Sequence, residues 1–180
     1  MELFKVYSRN QASIILTLIT VIVAATITTI DTPSYAQSTT FYCGKSKGLP
    51  VTFARTQDGR KLPVIRWTSN NYFPPPWTAQ RRCVEVSQRF QRSYNNRTLK
   101  YISSGILNKQ PVVCAGISKD TVCTSDNLLF TLKRGANPKA VVTRILDNRG
   151  LADGLVHSES ESDDITVDFD LYLERVEPEK

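Results

Sequence analysis

A single histidine, no Cys-x-x-Cys pair and no long apolar run after residue 30 set the first limits on this 180-residue chain. With His157 alone, no Ser–His or Cys–His pair forms outside one acidic segment, and zinc has no imidazole set to bind. Gly44-Lys-Ser-Lys-Gly48 holds the residue types of a phosphate loop but lacks the Gly-x-x-x-x-Gly-Lys-Ser/Thr order, so a nucleotide cradle is excluded. No segment repeats another, and nothing beyond the N-terminal region is long and apolar enough to span a bilayer.

What is present begins with an address. Lys5 and Arg9 precede an apolar run from Ile14 to Ile30, followed by Pro33 and the small-x-small site Ser34-Tyr35-Ala36. This is the pattern of a secretory signal peptide over residues 1–36, with cleavage expected between Ala36 and Gln37. The run is close to the minimum for an uncleaved anchor of about 17 residues, but the small residues favour cleavage. All four cysteines, Cys43, Cys83, Cys114 and Cys123, follow that site. In an exported chain an even count implies disulfides, and four cysteines allow three pairings. Cys114 with Cys123 closes a short loop easily, which leaves Cys43 to tie the first strand to the segment bearing Cys83.

Charge is divided. Phe41–Arg149 carries 19 Lys and Arg against 5 Asp and Glu, whereas Gly150–Lys180 carries 2 against 10. A basic body with an acidic tail exposes positive surface to an anionic partner. Nucleic acid is not expected as that partner, since an exported chain meets little of it and no recognised module is present.

The chain is organised around Thr78–Tyr94, which the spacing predicts as one amphipathic helix capped by Thr78. Ala79, Cys83, Val86, Phe90 and Tyr94 fall on one arc. Arg81, Arg82, Arg89 and Arg92 gather opposite, with Glu85 spaced to pair with Arg81 and Arg89. That basic face either binds an anionic membrane surface or membrane protein, or merely keeps the helix in water. Before it, Trp67, Tyr72, Phe73 and Trp77 form either a lid on the core or the aromatic rim of a groove.

Elsewhere the pattern is of strands. Thr40–Cys43 reads as a strand with Gly44–Gly48 as its turn. Val51–Thr56 and Lys61–Trp67 flank Asp58-Gly59, a hairpin signal, and Pro63 places its strand at an edge or bulge. Leu99–Leu107 and Gln110–Ile117 flank Asn108-Lys109, with Gly105 a candidate bulge. Leu128–Leu132 is a further strand, and Asn137-Pro138 starts a second helix whose face is Val141, Val142, Ile145 and Leu146, stopped at Gly150. Residues 153–164 read as an acidic loop. Ile165, Val167, Phe169, Leu171 and Leu173 alternate with polar residues and predict a C-terminal strand over 165–180. The expected fold is α+β: a mostly antiparallel sheet with two amphipathic helices on one face, in a disulfide-stapled core over 37–152 completed by that strand.

Phe41-Tyr-Cys-Gly44, Pro63-Val-Ile-Arg-Trp67, Arg82-Cys-Val-Glu-Val-Ser-Gln-Arg-Phe-Gln91 and Leu128-Leu-Phe-Thr-Leu-Lys133 resemble the cyanobacterial circadian-oscillating polypeptide family. So do Leu99-Lys-Tyr-Ile102, Asn108–Cys114 and the Asn137-Pro138 start, over roughly Thr40–Arg149. The resemblance implies an exported protein of the periplasm or thylakoid lumen, associated with a membrane from the aqueous side; in the member that named the family, abundance follows the day–night cycle. It implies no catalytic residue and no cofactor.

The function expected is therefore non-catalytic binding of an anionic partner through Arg81, Arg82, Arg89 and Arg92. The alternative is a cell-envelope hydrolase using carboxylates drawn from Asp58, Glu85, Asp120 and Asp126. Glu159, Glu161, Asp163, Asp164, Asp168 and Asp170 offer calcium-type oxygens, but their spacing fits no EF-hand loop and a solvated linker accounts for them. Asn96-Arg97-Thr98 matches a glycosylation acceptor, relevant only in a eukaryotic secretory route.

Overall fold

Turn chemistry sets the strand pairings in the computed structural model, which describes residues 39–146, 156–157 and 165–180. The expected signal peptide and nearly all of the acidic loop lie outside the described residues. β1 (Thr40–Ser46) and β2 (Leu49–Arg55) pair through the full length of both. Their turn is only Lys47-Gly48, both at positive φ (49° and 80°), so β1 runs on through most of the segment expected as a loop. Two left-handed residues match the twist of the flanking strands, which is why so short a connection suffices. β3 (Lys61–Arg66) completes this three-stranded sheet as an edge strand. Pro63 sits both on that edge and beside the register shift at Thr52/Phe53, the two places where a missing N–H does no harm.

A second sheet begins with β4 (Tyr101–Leu107) and β5 (Gln110–Gly116), joined at Asn108-Lys109 with φ of 52° and 60°. It is extended by β6 (Leu128–Thr131), β7 (Val156–His157) and β8 (Thr166–Asp168), in the order β6-β5-β4-β8-β7, with every pairing antiparallel. The register runs unbroken past Gly105, so no bulge forms there. Glycine leaves room here for a different reason: a Cβ at 105 would stand 3.0 Å from Sγ of Cys123.

α1 (Ala79–Asn95) forms where the apolar arc predicts it. The Thr78 hydroxyl accepts the Arg81 N–H at 3.2 Å, and the Asn70 side chain accepts the Ala79 N–H at 3.1 Å. Ala79, Cys83, Val86 and Phe90 are buried. Thr52 Oγ1, on the sheet below, takes hydrogen bonds from Trp67 Nε1 and Ser87 Oγ, each at 3.1 Å, so the polar atoms at that contact are matched. Both expected disulfides are present, Cys43–Cys83 and Cys114–Cys123, leaving no free cysteine. α2 (Pro138–Leu146) starts as expected, with Asn137 Oδ1 accepting the Ala140 N–H at 2.8 Å.

The fold is thus α+β with antiparallel sheets, but the single expected sheet is two, and a third helix is present. The C-terminal strand is the clearest correction. It lasts only from Thr166 to Asp168, after which α3 (Phe169–Arg175) takes over. Asp168 leaves the strand and caps the helix, accepting the Leu171 N–H at 3.0 Å. Asp170 lies in the first turn and Arg175 in the last, each the sign favoured by the helix dipole. Phe169, Tyr172 and Val176 are buried, spaced as one helix face rather than as alternate strand residues. Tyr172 donates its hydroxyl to the Pro63 carbonyl at 3.1 Å, which ties α3 to the first sheet, and burial raises its pKa.

Candidate functional site

β3 and β6 are edge strands, one in each sheet. Between them lies a cleft of about 790 Å³, flanked by α1, α2 and the proline-rich loop 68–78. Its inner walls are apolar: Val64, Ile65, Val86, Phe130, Leu132 and Val141. Its charged lining is mostly cationic, Arg66, Arg82, Arg89 and Arg144 against Glu85 as the one carboxylate.

Local sequence explains the loop side of this cleft. Trp77 and Thr78 donate backbone N–H groups to the carbonyls of Pro74 and Pro76, at 3.2 and 2.9 Å, and the Pro75–Pro76 bond is cis. Tyr72 meets Phe73 edge-on, and its hydroxyl accepts the Lys133 N–H at 3.1 Å, fastening the loop to the end of β6. Of the four aromatics expected here, Trp67 is 6 % exposed and packs edge-on against Phe130, whereas Trp77 is 38 % exposed at the lip. Core lid and groove rim are both realised, by different residues.

The four arginines do not share one solvated face. The Arg82 guanidinium lies 5.1 Å from the Trp67 ring centre and 5.2 Å from that of Tyr72, and it donates from Nη2 to the Ser69 carbonyl. Each such cation–ring contact is worth roughly 0.5–2 kcal/mol, more as water is removed. Burial pulls its pKa below the ordinary arginine value, but a guanidinium stays charged. Its Nε–H is buried and finds no acceptor among the described residues, an omission that costs about 1–3 kcal/mol. Arg89, two turns along, is half-buried and donates Nη1 to the Leu129 carbonyl at 3.2 Å. Arg81 and Arg92 are the two that stay exposed, Arg81 over the Trp77 ring at 4.9 Å and Arg92 in the last turn of α1. The expected Glu85 pairs with Arg81 and Arg89 are not formed. The ion pairs among the described residues are Arg60–Asp58 and Arg66–Glu179.

Residues 40–174 match the family model for circadian oscillating protein COP23. The chain belongs to that family. No curated protein and no solved structure matches it. The COP23 match runs from the start of β1 into α3 and takes in both disulfides and every residue lining the cleft.

The carboxylates considered for hydrolysis do not assemble around this cleft. Asp58 is held in its own turn by Thr56 and Arg60, Asp120 and Asp126 are exposed on the loop after β5, and Glu85 alone lines the cleft. Of the six calcium-type residues, Asp168 and Asp170 belong to the start of α3 and the others lie outside the described residues, whereas His157, expected within the acidic loop, lies in β7 opposite Thr166. Among the described residues no group of three His, Cys, Asp or Glu is placed to hold a metal.

Arg66 and Arg144, which line the cleft, and Glu179, which pairs with Arg66, were missed from sequence because only the tertiary fold places them. Glu179 accepts from Ser46 Oγ with one oxygen and pairs with Arg66 at 2.6 Å with the other, while its backbone N–H bonds the Lys61 carbonyl at 2.8 Å. This latch closes the free edge of β3. The Ser46 hydrogen bond, aided by Arg66, holds the Glu179 carboxyl below its usual 4.5. A depressed pKa stabilises the fold above about 4.5, and the contribution is lost as pH falls through the lowered value. In urea titrations at stepped pH, Glu179→Gln is expected to be less stable than the parent at pH 7 and to close that gap as acid is added. A gap unchanged down to acid pH would remove the latch.

Proposed function

We propose that this chain is an exported, non-catalytic binding protein of the periplasm or thylakoid lumen, which holds an anionic partner beside a membrane in the cleft flanking α1. The observation that carries the proposal is Arg82: a cation fixed between two aromatic rings, lining a cleft, with a buried donor unused and no carboxylate partner among the described residues. A guanidinium held this way reads carboxylate or phosphate oxygens with little further ordering. The two disulfides suit an oxidising compartment, and no helix among the described residues is long and apolar enough to cross a membrane. Exposed basic residues near an anionic bilayer add about 1 kcal/mol each, so Arg81 and Arg92 assist encounter while Arg82 and Arg89 hold.

The test is a charge-matched comparison. Co-sedimentation with vesicles containing phosphatidylglycerol, against vesicles of phosphatidylcholine alone, is measured for the parent, for Arg82→Gln with Arg89→Gln, and for Arg81→Gln with Arg92→Gln. Both double variants lose the same charge. The proposal expects the first to lose about tenfold or more in partitioning and the second to retain most of it. The reverse order would return binding to a solvated helix face, and equal recovery of all three in 1 M salt would remove electrostatic docking.

A further inference from the structure

The cleft's walls and rim together specify a narrower class of ligand than an anion. Resting on the cleft reading above, we infer that its occupant is a single amphipathic anion of small-molecule size, with an unbranched acyl-type body against the aliphatic walls and a carboxylate or phosphate head at Arg82 and Arg89.

A volume of about 790 Å³ lies within the range of small-molecule sites, about 300–1,000 Å³, and is too small for a folded partner to enter. A bare inorganic anion would leave the walls of Val64, Val86, Leu132 and Val141 unused. A planar aromatic acid stacks on ring faces, and cations already lie over three of the lining rings. Arg82 covers Trp67, Arg81 covers Trp77, and Tyr72 has both Arg82 and Lys133 over it, the latter at 5.0 Å. The rest of the apolar lining is mostly aliphatic side chain and proline, with Phe73 and Phe130 as the remaining aromatic residues. It suits a flexible chain, which gains from area burial without a stacking geometry. At the rim, Arg82 and Arg89 face the cleft from one side of α1, and Arg144 from α2, with no ion pair to any of the three among the described residues. An anionic head there is compensated on two sides while its tail is drawn inward.

Trp67 and Trp77 are the only tryptophans in the chain, and both line the cleft. Intrinsic emission of the full chain with its disulfides intact is therefore a direct readout. Titrations below the micelle-forming concentration use decanoate and decyl phosphate as the anions, decanol as the neutral chain and acetate as the head alone. Phosphatidylglycerol vesicles are run in parallel. The inference expects saturable emission changes with both long anions, at least tenfold tighter than decanol, no saturation with acetate, and at least tenfold weakening in Arg82→Gln. Because Arg82 also packs on Trp67, Arg89→Gln serves as the second variant and is expected to weaken decanoate severalfold with parent emission when unliganded. Equal affinity for decanol and decanoate overturns the inference, since charge is then not read. Equal response to acetate overturns it as well, since the walls are then not used. Arginine-dependent vesicle binding with no response to decanoate sinks this inference and leaves the binding function standing, whereas no binding in either arm sinks both.

Discussion

Replacing Cys43 and Cys83 together by alanine is expected to lower the unfolding free energy by about 4 kcal/mol. The bridge closes a separation of 40 residues, and chain-entropy arguments give about 4 kcal/mol for such a loop against roughly 2.5 for the nine-residue separation of Cys114 and Cys123. Geometry adds to this. Cys43 lies on β1 and Cys83 on the buried face of α1, fully removed from solvent, so the bond fixes the helix on the sheet at the same place where Val86 and Phe90 pack. A chain of this size is stable by about 5–15 kcal/mol, so the double variant should remain folded at low temperature with a much lower urea midpoint. Denaturation curves of both disulfide-free pairs, run side by side, check the ordering. A larger loss from the Cys114–Cys123 pair would show that α1 is held by packing alone.

Phe169→Ala is expected to cost about 3–5 kcal/mol, the usual range for removing a buried phenylalanine. Its ring is 1 % exposed and sits 5.6 Å from Phe90, 6.0 Å from Phe41 and 5.6 Å from Tyr172, centre to centre. The residue therefore joins α1, β1 and α3 at a single point. Its backbone N–H also bonds the Lys100 carbonyl at 2.9 Å, holding the chain where strand becomes helix. Val122→Ala is the matched control: that side chain is 77 % exposed, and its truncation should move stability by less than about 0.5 kcal/mol. Equal midpoints for the two variants would mean that the C-terminal segment does not pack on α1.

Phe169 is also where reading the sequence failed, for a physical reason. Ile165, Val167 and Phe169 share a strand face, while Phe169, Tyr172 and Val176 share a helix face, so one residue satisfies both periods. Leu171 and Leu173 extended the false alternation. What decided between them was Asp168, a good N-cap in the middle of an apparent strand. Local signals were sufficient at several other places. The Asn108-Lys109 turn, the Asn137-Pro138 helix start and the α1 arc each rest on backbone or side-chain preferences that need no partner. The division into two sheets was not legible, because nothing within a strand says which neighbour it will lack.

The cleft shares that limitation. A helical wheel places Arg82 and Arg89 away from the apolar arc, but they stand on its shoulder, beside Val86. Whether a shoulder residue meets water or a wall depends on the facing element, here edge strands β3 and β6 brought together from residues 61–66 and 128–131. Likewise the aromatic run could be named but not divided into Trp67, which belongs to the core, and Trp77, which stays at the lip.

The most direct test is nuclear magnetic resonance of the arginine Nε–H groups while decyl phosphate is added. The account predicts that Arg82 and Arg89 shift together and saturate, with the Arg82 Nε–H protected from exchange at the start, while Arg81 and Arg92 drift only as ionic strength rises. Saturation at Arg81 and Arg92 with Arg82 and Arg89 unmoved would contradict it.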